Sequence, residues 1–164
     1  MSRHFPSSLE GSLLAPQDAH FAICAARFNE QIVQRLLLGA QQGLARFGVD
    51  ESRISVVRVP GAWELPLACA ELAKTGRFAA VIALGAVVRG ETPHFDYVAG
   101  QAASGLSRVA LDSGIPVIFG VLTTDTMEHA EARAGGKDGN RGLDAAAAAV
   151  EMVNLTRSVR GHAS

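Results

Sequence analysis

A chain of 164 residues with 48% hydrophobic side chains is long enough to enclose one core and too short for two ordinary domains. Its formal charge of -1 provides no attraction for nucleic acid or an anionic membrane surface, so neither is expected as a partner. Only 5% of the residues are aromatic while Ala, Val and Leu abound, which suits helices packed closely on a parallel sheet.

Residues 1–18 contain Pro6, Ser7, Ser8, Gly11, Ser12 and Pro16 and read as an extended arm, able to order on a neighbouring subunit. The start lacks a basic segment followed by an apolar run of leader length, and no run reaches transmembrane length, so a cytoplasmic protein is expected. A strand over residues 20–25 leads to Asn29 at a helix N-cap position. Ile32, Leu36, Ala40, Gly43 and Phe47 then recur at helical spacing, and Gly48 closes the helix. Residues 53–59 form the second strand. After Pro60-Gly61, Leu65, Cys69, Leu72 and Ala73 mark a second helix with Pro66 in its first turn. Cys24 and Cys69 have no ligand-like spacing and read as buried free thiols.

The third strand spans residues 79–88 and is almost continuously apolar, the pattern of a strand covered on both faces. Val98, Ala102, Gly105 and Val109 form the stripe of the next helix, which Gly114 and Pro116 end. Residues 115–122 make a fourth strand, 125–133 a short helix, and 143–157 a longer one with Leu143, Ala146, Val150 and Val153 inward. The order β-α-β-α-β-α-β-α-α predicts an α/β chain, a flavodoxin-like three-layer αβα sandwich on a four-stranded parallel sheet. The arm 1–18, one domain over 19–158 and a tail 159–164 complete the organisation.

Parallel strands gather the loops at their carboxyl ends along one edge, the usual ligand side of such sheets. Those loops carry Arg27-Phe28-Asn29, Pro60 to Pro66, Arg89 to Asp96 and Thr123-Thr124-Asp125. Phe28 is out of step with the helix that follows, so it either lies against a planar heterocycle or staples the first turn. Glu64, three residues after Gly61, suits a polyol or ribose beside exposed amides; it equally suits a solvated helix start. Gly90-Glu91-Thr92 offers amides and a hydroxyl to an anion, with Arg133 as a counter-charge. His94 is a candidate general acid/base. A metal held by His94, Asp96 and His129 lacks a compact ligand motif.

Taken together, Arg27-Phe28-Asn29, Val59-Pro60-Gly61-Ala62-Trp63-Glu64-Leu65-Pro66, the segment from Gly85 to Tyr97 with its Gly90-Glu91-Thr92-Pro93-His94-Phe95-Asp96, the segment from Pro116 to Thr124 and that from Ala134 to Gly142 resemble the lumazine synthase family, in its order, over residues 20–158. The resemblance implies condensation of 5-amino-6-(D-ribitylamino)uracil with 3,4-dihydroxy-2-butanone 4-phosphate to 6,7-dimethyl-8-ribityllumazine, without cofactor or metal. It implies that Phe28 stacks on the pyrimidine between walls that include Val87 and Val88. Ala62, Trp63 and Glu64 would hold the ribityl chain, Glu91 and Thr92 the phosphate with Arg133, and His94 would move protons. In that family the site lies between subunits, so Phe119, Arg133 and Arg141 would reach a neighbour's substrate in a homopentamer. The short linker over residues 135–140 resembles that of members whose pentamers build a hollow capsid. Trp63 stands where many members have phenylalanine, and Arg141 where lysine is frequent; an arginine presents a planar fork in place of a point charge. Two other classes remain as alternatives: a non-catalytic module holding lumazine or riboflavin, and a shell-forming protein without chemistry. The first has no use for Arg133 together with His94, and the second leaves the concentration of polar residues at one sheet edge unexplained.

Overall fold

The computed structural model describes residues 4–163. Strands β1 (Phe21–Ala26), β2 (Ile54–Val59), β3 (Ala80–Val88) and β4 (Val117–Thr124) form one parallel sheet in the order β2-β1-β3-β4. Helices α1 (Glu30–Arg46), α2 (Leu65–Lys74), α3 (His94–Ser113), α4 (Met127–Arg133) and α5 (Arg141–Ala163) complete the alternation. The result is the expected flavodoxin-like α/β sandwich. Successive side chains of a strand point to opposite faces, so a strand covered on both sides must be apolar throughout. Accordingly Phe21, Ile23 and Ala25 of β1 and Ile82, Leu84 and Ala86 of β3 enter one core with residues of α1 and α5. Ala22, Cys24 and Ala26 with Val81 and Ala83 enter a second core with α2 and α3. Fully buried residues such as Ile23, Leu36 and Leu84 each contribute about 1.5–3 kcal/mol of transfer free energy.

The two cysteines meet in the second core as buried free thiols. A hydrogen bond between them and burial in apolar surroundings push the Cys69 thiol far above its ordinary range, so it stays protonated.

Several boundaries differ from the sequence expectation for local reasons. α3 begins at His94, because Pro93 has helix-compatible φ at the preceding position and Thr92 Oγ1 accepts the His94 N–H at 3.4 Å. Its fully buried positions are Ala102 and Leu106, with Val98 and Val109 only partly covered. α4 starts after Thr126, whose hydroxyl accepts the His129 N–H at 3.1 Å. α5 starts two residues before Leu143, since Asn140 Oδ1 accepts from the N–H groups of Gly142 (2.8 Å) and Leu143 (3.3 Å). It also continues to Ala163 where the sequence suggests an end near Arg157. The glycine-rich linker forms a small antiparallel hairpin, β5 (Ala134–Gly136) and β6 (Gly139–Asn140).

Helices α1 and α5 lie close together. A Cβ on Gly142 would collide with the Leu36 carbonyl oxygen, so only glycine permits this approach. The N-terminal segment packs against its own chain. Asn154 Nδ2 donates to the carbonyls of Ser12 (2.8 Å) and Leu14 (2.9 Å), and Arg157 pairs with Asp18 at 2.9 Å. Arg53 Nη1 donates to the carbonyls of Pro16 and Ala19 at 2.9 Å each, and Nη2 to Gly48 O at 2.7 Å. The bonds to Ser12, Leu14, Pro16, Asp18 and Ala19 span 34 residues or more and have no local sequence signal.

Candidate active site

At the carboxyl ends of β1, β2 and β3 the chain forms an open cavity of about 750 Å³. That is within the size range of small-molecule sites. Its wall contains Phe28 from the β1–α1 turn, Ala62, Trp63 and Glu64 from the segment after β2, and Val87 and Val88 from the end of β3. Thr92 and His94 close it from the start of α3. Eight of the twelve residues singled out in the sequence therefore share one space.

The turn before α1 is built without a side-chain cap. Asn29 has φ 58 and ψ 46, and its carboxamide reaches the Ala86 carbonyl at 2.8 Å. Phe28 consequently projects from the sheet edge and remains 72% exposed, which argues against packing as a staple. The segment after β2 opens on Gly61 and makes a 3₁₀ turn over Ala62–Glu64. Glu64 Oε2 accepts the Gly61 N–H at 3.0 Å; Gly61 has no side chain to return a bond, so this is half of a capping box. One carboxylate oxygen of Glu64 thus fixes the loop, while the residue itself lines the cavity. Trp63 is 57% exposed at the cavity wall, a large apolar surface of the kind that marks a binding place.

Arg89 organises the far side. Its Nε lies 2.9 Å from Asp125 Oδ1, its Nη1 3.5 Å from Asp96 Oδ1, and its guanidinium 4.3 Å from the Phe95 ring centre. It thereby ties the end of β3 to the first turn of α3 and to the loop after β4. The hydrogen bond that Arg89 donates to the Asp125 carboxylate holds its guanidinium above the ordinary pKa, so its charge is permanent.

The loops after β1, β2 and β3 share the cavity, and the loop after β4 is joined to them through the Asp125–Arg89 bond. Phe119, Arg133 and Arg141 line a separate hollow of about 410 Å³ with Thr123, Thr124 and Asp144. β2 and β4 are the two edge strands of the sheet; the segment after β2 lines the first cavity, whereas residues of β4 line this hollow. In that hollow Arg133 Nη1 donates to the His129 carbonyl at 3.0 Å and lies 3.7 Å from Asp138. Arg141 pairs with Asp144 at 3.0 Å. Glu91 is exposed and lines neither space. Among the described residues no group of three or more His, Cys, Asp and Glu is arranged to hold a metal. No described helix is long and apolar enough to cross a membrane.

Ala86, Phe95, Tyr97 and Val98 also line the cavity, and the sequence reading missed them as site residues. The spacing of Phe95 and Val98, one helical turn apart, was a signal once α3 is known to begin at His94. Chemically, the cavity joins an aromatic face, aliphatic ring walls, a carboxylate on a glycine-led turn, a hydroxyl and a histidine. Such a set suits a flat heterocycle carrying a polyol, next to a group needing proton transfer. The family model for 6,7-dimethyl-8-ribityllumazine synthase matches residues 18–157, and the chain belongs to that family.

Proposed function

We propose that this member of the lumazine synthase family condenses 5-amino-6-(D-ribitylamino)uracil with 3,4-dihydroxy-2-butanone 4-phosphate, giving 6,7-dimethyl-8-ribityllumazine, phosphate and water. The observation that carries the reading is the single cavity shared by Phe28, Glu64, Val87, Val88, Thr92 and His94, in a chain of this family. Phe28 stacks on the pyrimidine, with Val87 and Val88 at its edges, and Ala62, Trp63 and Glu64 engage the ribityl hydroxyls. The amides around Gly90, with Glu91 and Thr92, receive the phosphate, and Arg133 balances its charge.

The amine attacks the ketone and water leaves as the imine forms. Loss of a proton from C3 then expels phosphate from C4, the resulting enol tautomerises to a new ketone at C3, and the ribityl-bearing amine closes on that carbonyl with loss of another water. Every step moves a proton, and none needs a protein nucleophile, metal or redox partner. His94 carries those protons, while most of the acceleration comes from holding both substrates in reacting geometry.

Phe119, Arg133 and Arg141 line a different hollow of the same chain. This arrangement supports a site completed by the adjacent subunit of a ring, a pentamer or a shell of pentamers, in which one copy's second hollow faces its neighbour's cavity. Head-to-tail contacts of that kind close into a ring when the rotation between copies divides a full turn. The deciding experiment mixes the two substrates and follows the absorbance of lumazine. Product forming no faster than in the absence of protein overturns the enzyme reading and leaves a binding or shell protein.

A further inference from the structure

Asn29 has the sequence position of a helix cap, yet its side chain makes no capping bond. Its Nδ2 donates instead to the Ala86 carbonyl at 2.8 Å, across 57 residues of chain. Strand length explains this. β1 ends at Ala26 and its last pairing with β3 is Ala25 to Leu84, whereas β3 continues to Val88. The Ala86 carbonyl thus lies beyond the reach of its neighbouring strand, where an unmet acceptor is costly. The Asn29 carboxamide takes the place of the missing strand residue.

To reach it, the backbone at Asn29 adopts φ 58, the only positive φ of a non-glycine among the described residues. Asparagine tolerates this left-handed conformation better than most side chains. The same turn sends Phe28 outward over the cavity, with the Phe28 N–H held by the Pro60 carbonyl at 3.0 Å. Phe28, Ala86, Val87 and Val88 all line that cavity. One carboxamide therefore joins the turn carrying the aromatic wall to the strand carrying the aliphatic wall.

We propose that Asn29 is a positioning residue: its bond to Ala86 sets the gap between Phe28 and the Val87–Val88 edge, and so the affinity for the flat pyrimidine substrate. The inference rests on the function proposed above, and its test separates the two. Trp63 is the only tryptophan and lines the cavity, so its fluorescence reports binding of the ribitylaminouracil alone, without turnover. Asn29→Asp retains size and tolerance of the left-handed backbone but replaces the donor by an acceptor. Asn29→Gly keeps the backbone conformation without any amide.

Each variant is expected to weaken pyrimidine binding about tenfold, from the loss of one part-buried hydrogen bond and the looser wall. KM for the pyrimidine should rise in parallel, with kcat and KM for the phosphorylated ketone within about twofold of wild type. In a Phe28→Ala background the Asn29→Asp change should add nothing, because the wall it positions is gone. A merely structural role predicts a lower Tm with unchanged affinity in the folded protein, and that result overturns the inference. Unchanged affinity in Asn29→Gly does the same even where Asn29→Asp fails to fold. Wild-type protein that does not bind the pyrimidine at all overturns the proposed function itself.

Discussion

Replacing His94 by alanine separates proton transfer from substrate positioning. His94 is exposed at the first residue of α3, and among the described residues its imidazole has no hydrogen-bond partner. The substitution therefore removes no buried contact, and alanine is well suited to a helix start interior, so stability should change by less than about 0.5 kcal/mol. General acid/base catalysis supplies ~10²- to 10⁴-fold in rate. Nothing in the structure orients the ring before substrate arrives, which places the expected loss near the lower end, ~10²-fold or about 2.7 kcal/mol of activation free energy. Steady-state kinetics should show kcat reduced by that factor and both KM values little changed, with an unaltered thermal transition. The residual rate would come from two substrates held together in a cavity of about 750 Å³. A folded His94→Ala protein that binds both substrates and has no turnover above background would refute the positioning account. So would an unchanged kcat, which would take His94 out of the chemistry.

Arg133→Ala should raise KM for the phosphorylated substrate about tenfold or more while sparing pyrimidine binding, because it removes the fixed charge opposite the phosphate. Equal mixtures of Arg133→Ala and His94→Ala chains, unfolded and reassembled together, should recover about a quarter of wild-type activity if each site takes one residue from each of two head-to-tail copies; no recovery would place both residues in one chain's site. Gly142→Ala forces a methyl group onto the Leu36 carbonyl at the closest approach of α1 and α5, and should cost about 1–3 kcal/mol in urea unfolding. The Arg157 hydrogen bond and charge hold the Asp18 carboxyl below its ordinary value of 3.8. Because the folded state favours the ionised form, this contribution is fully present above pH 3.8 and is lost as the pH falls through the lower folded value. The Tm difference between wild type and Asp18→Asn should therefore be open at pH 7 and close on acidification; a gap that persists in strong acid would contradict the linkage.

The layered fold was readable because its signals are local. β1 and β3 are apolar at every position since both faces are covered, and Gly48 and Gly114 stop α1 and α3 where left-handed backbone is needed. The segments around Phe28, Glu64 and His94 were legible for a related reason: each follows a strand, and parallel strands bring their carboxyl ends together. What escaped were interactions between distant segments. Arg53 clasping Pro16 and Ala19 has no pattern in the sequence, nor has Asn154 holding Ser12 and Leu14. Pro93 reads as loop in the sequence, yet α3 starts directly after it, so Phe95 joins Val98 on the helix face over the cavity.

By itself the sequence determined the order of elements, the two covered faces of the sheet and the residue types available at its edge, because hydrophobic period, turn residues and motif spacing are properties of short segments. The tertiary structure decided how those residues are distributed. β4 lies at the sheet edge and carries Phe119 with Arg133 and Arg141 to a hollow apart from His94, although the loops are neighbours in the pattern. β1 stops short of β3, so Asn29 completes the sheet where the sequence suggested a helix cap. Strand order and strand length are set by packing across the whole domain, and that is why no local signal announces them.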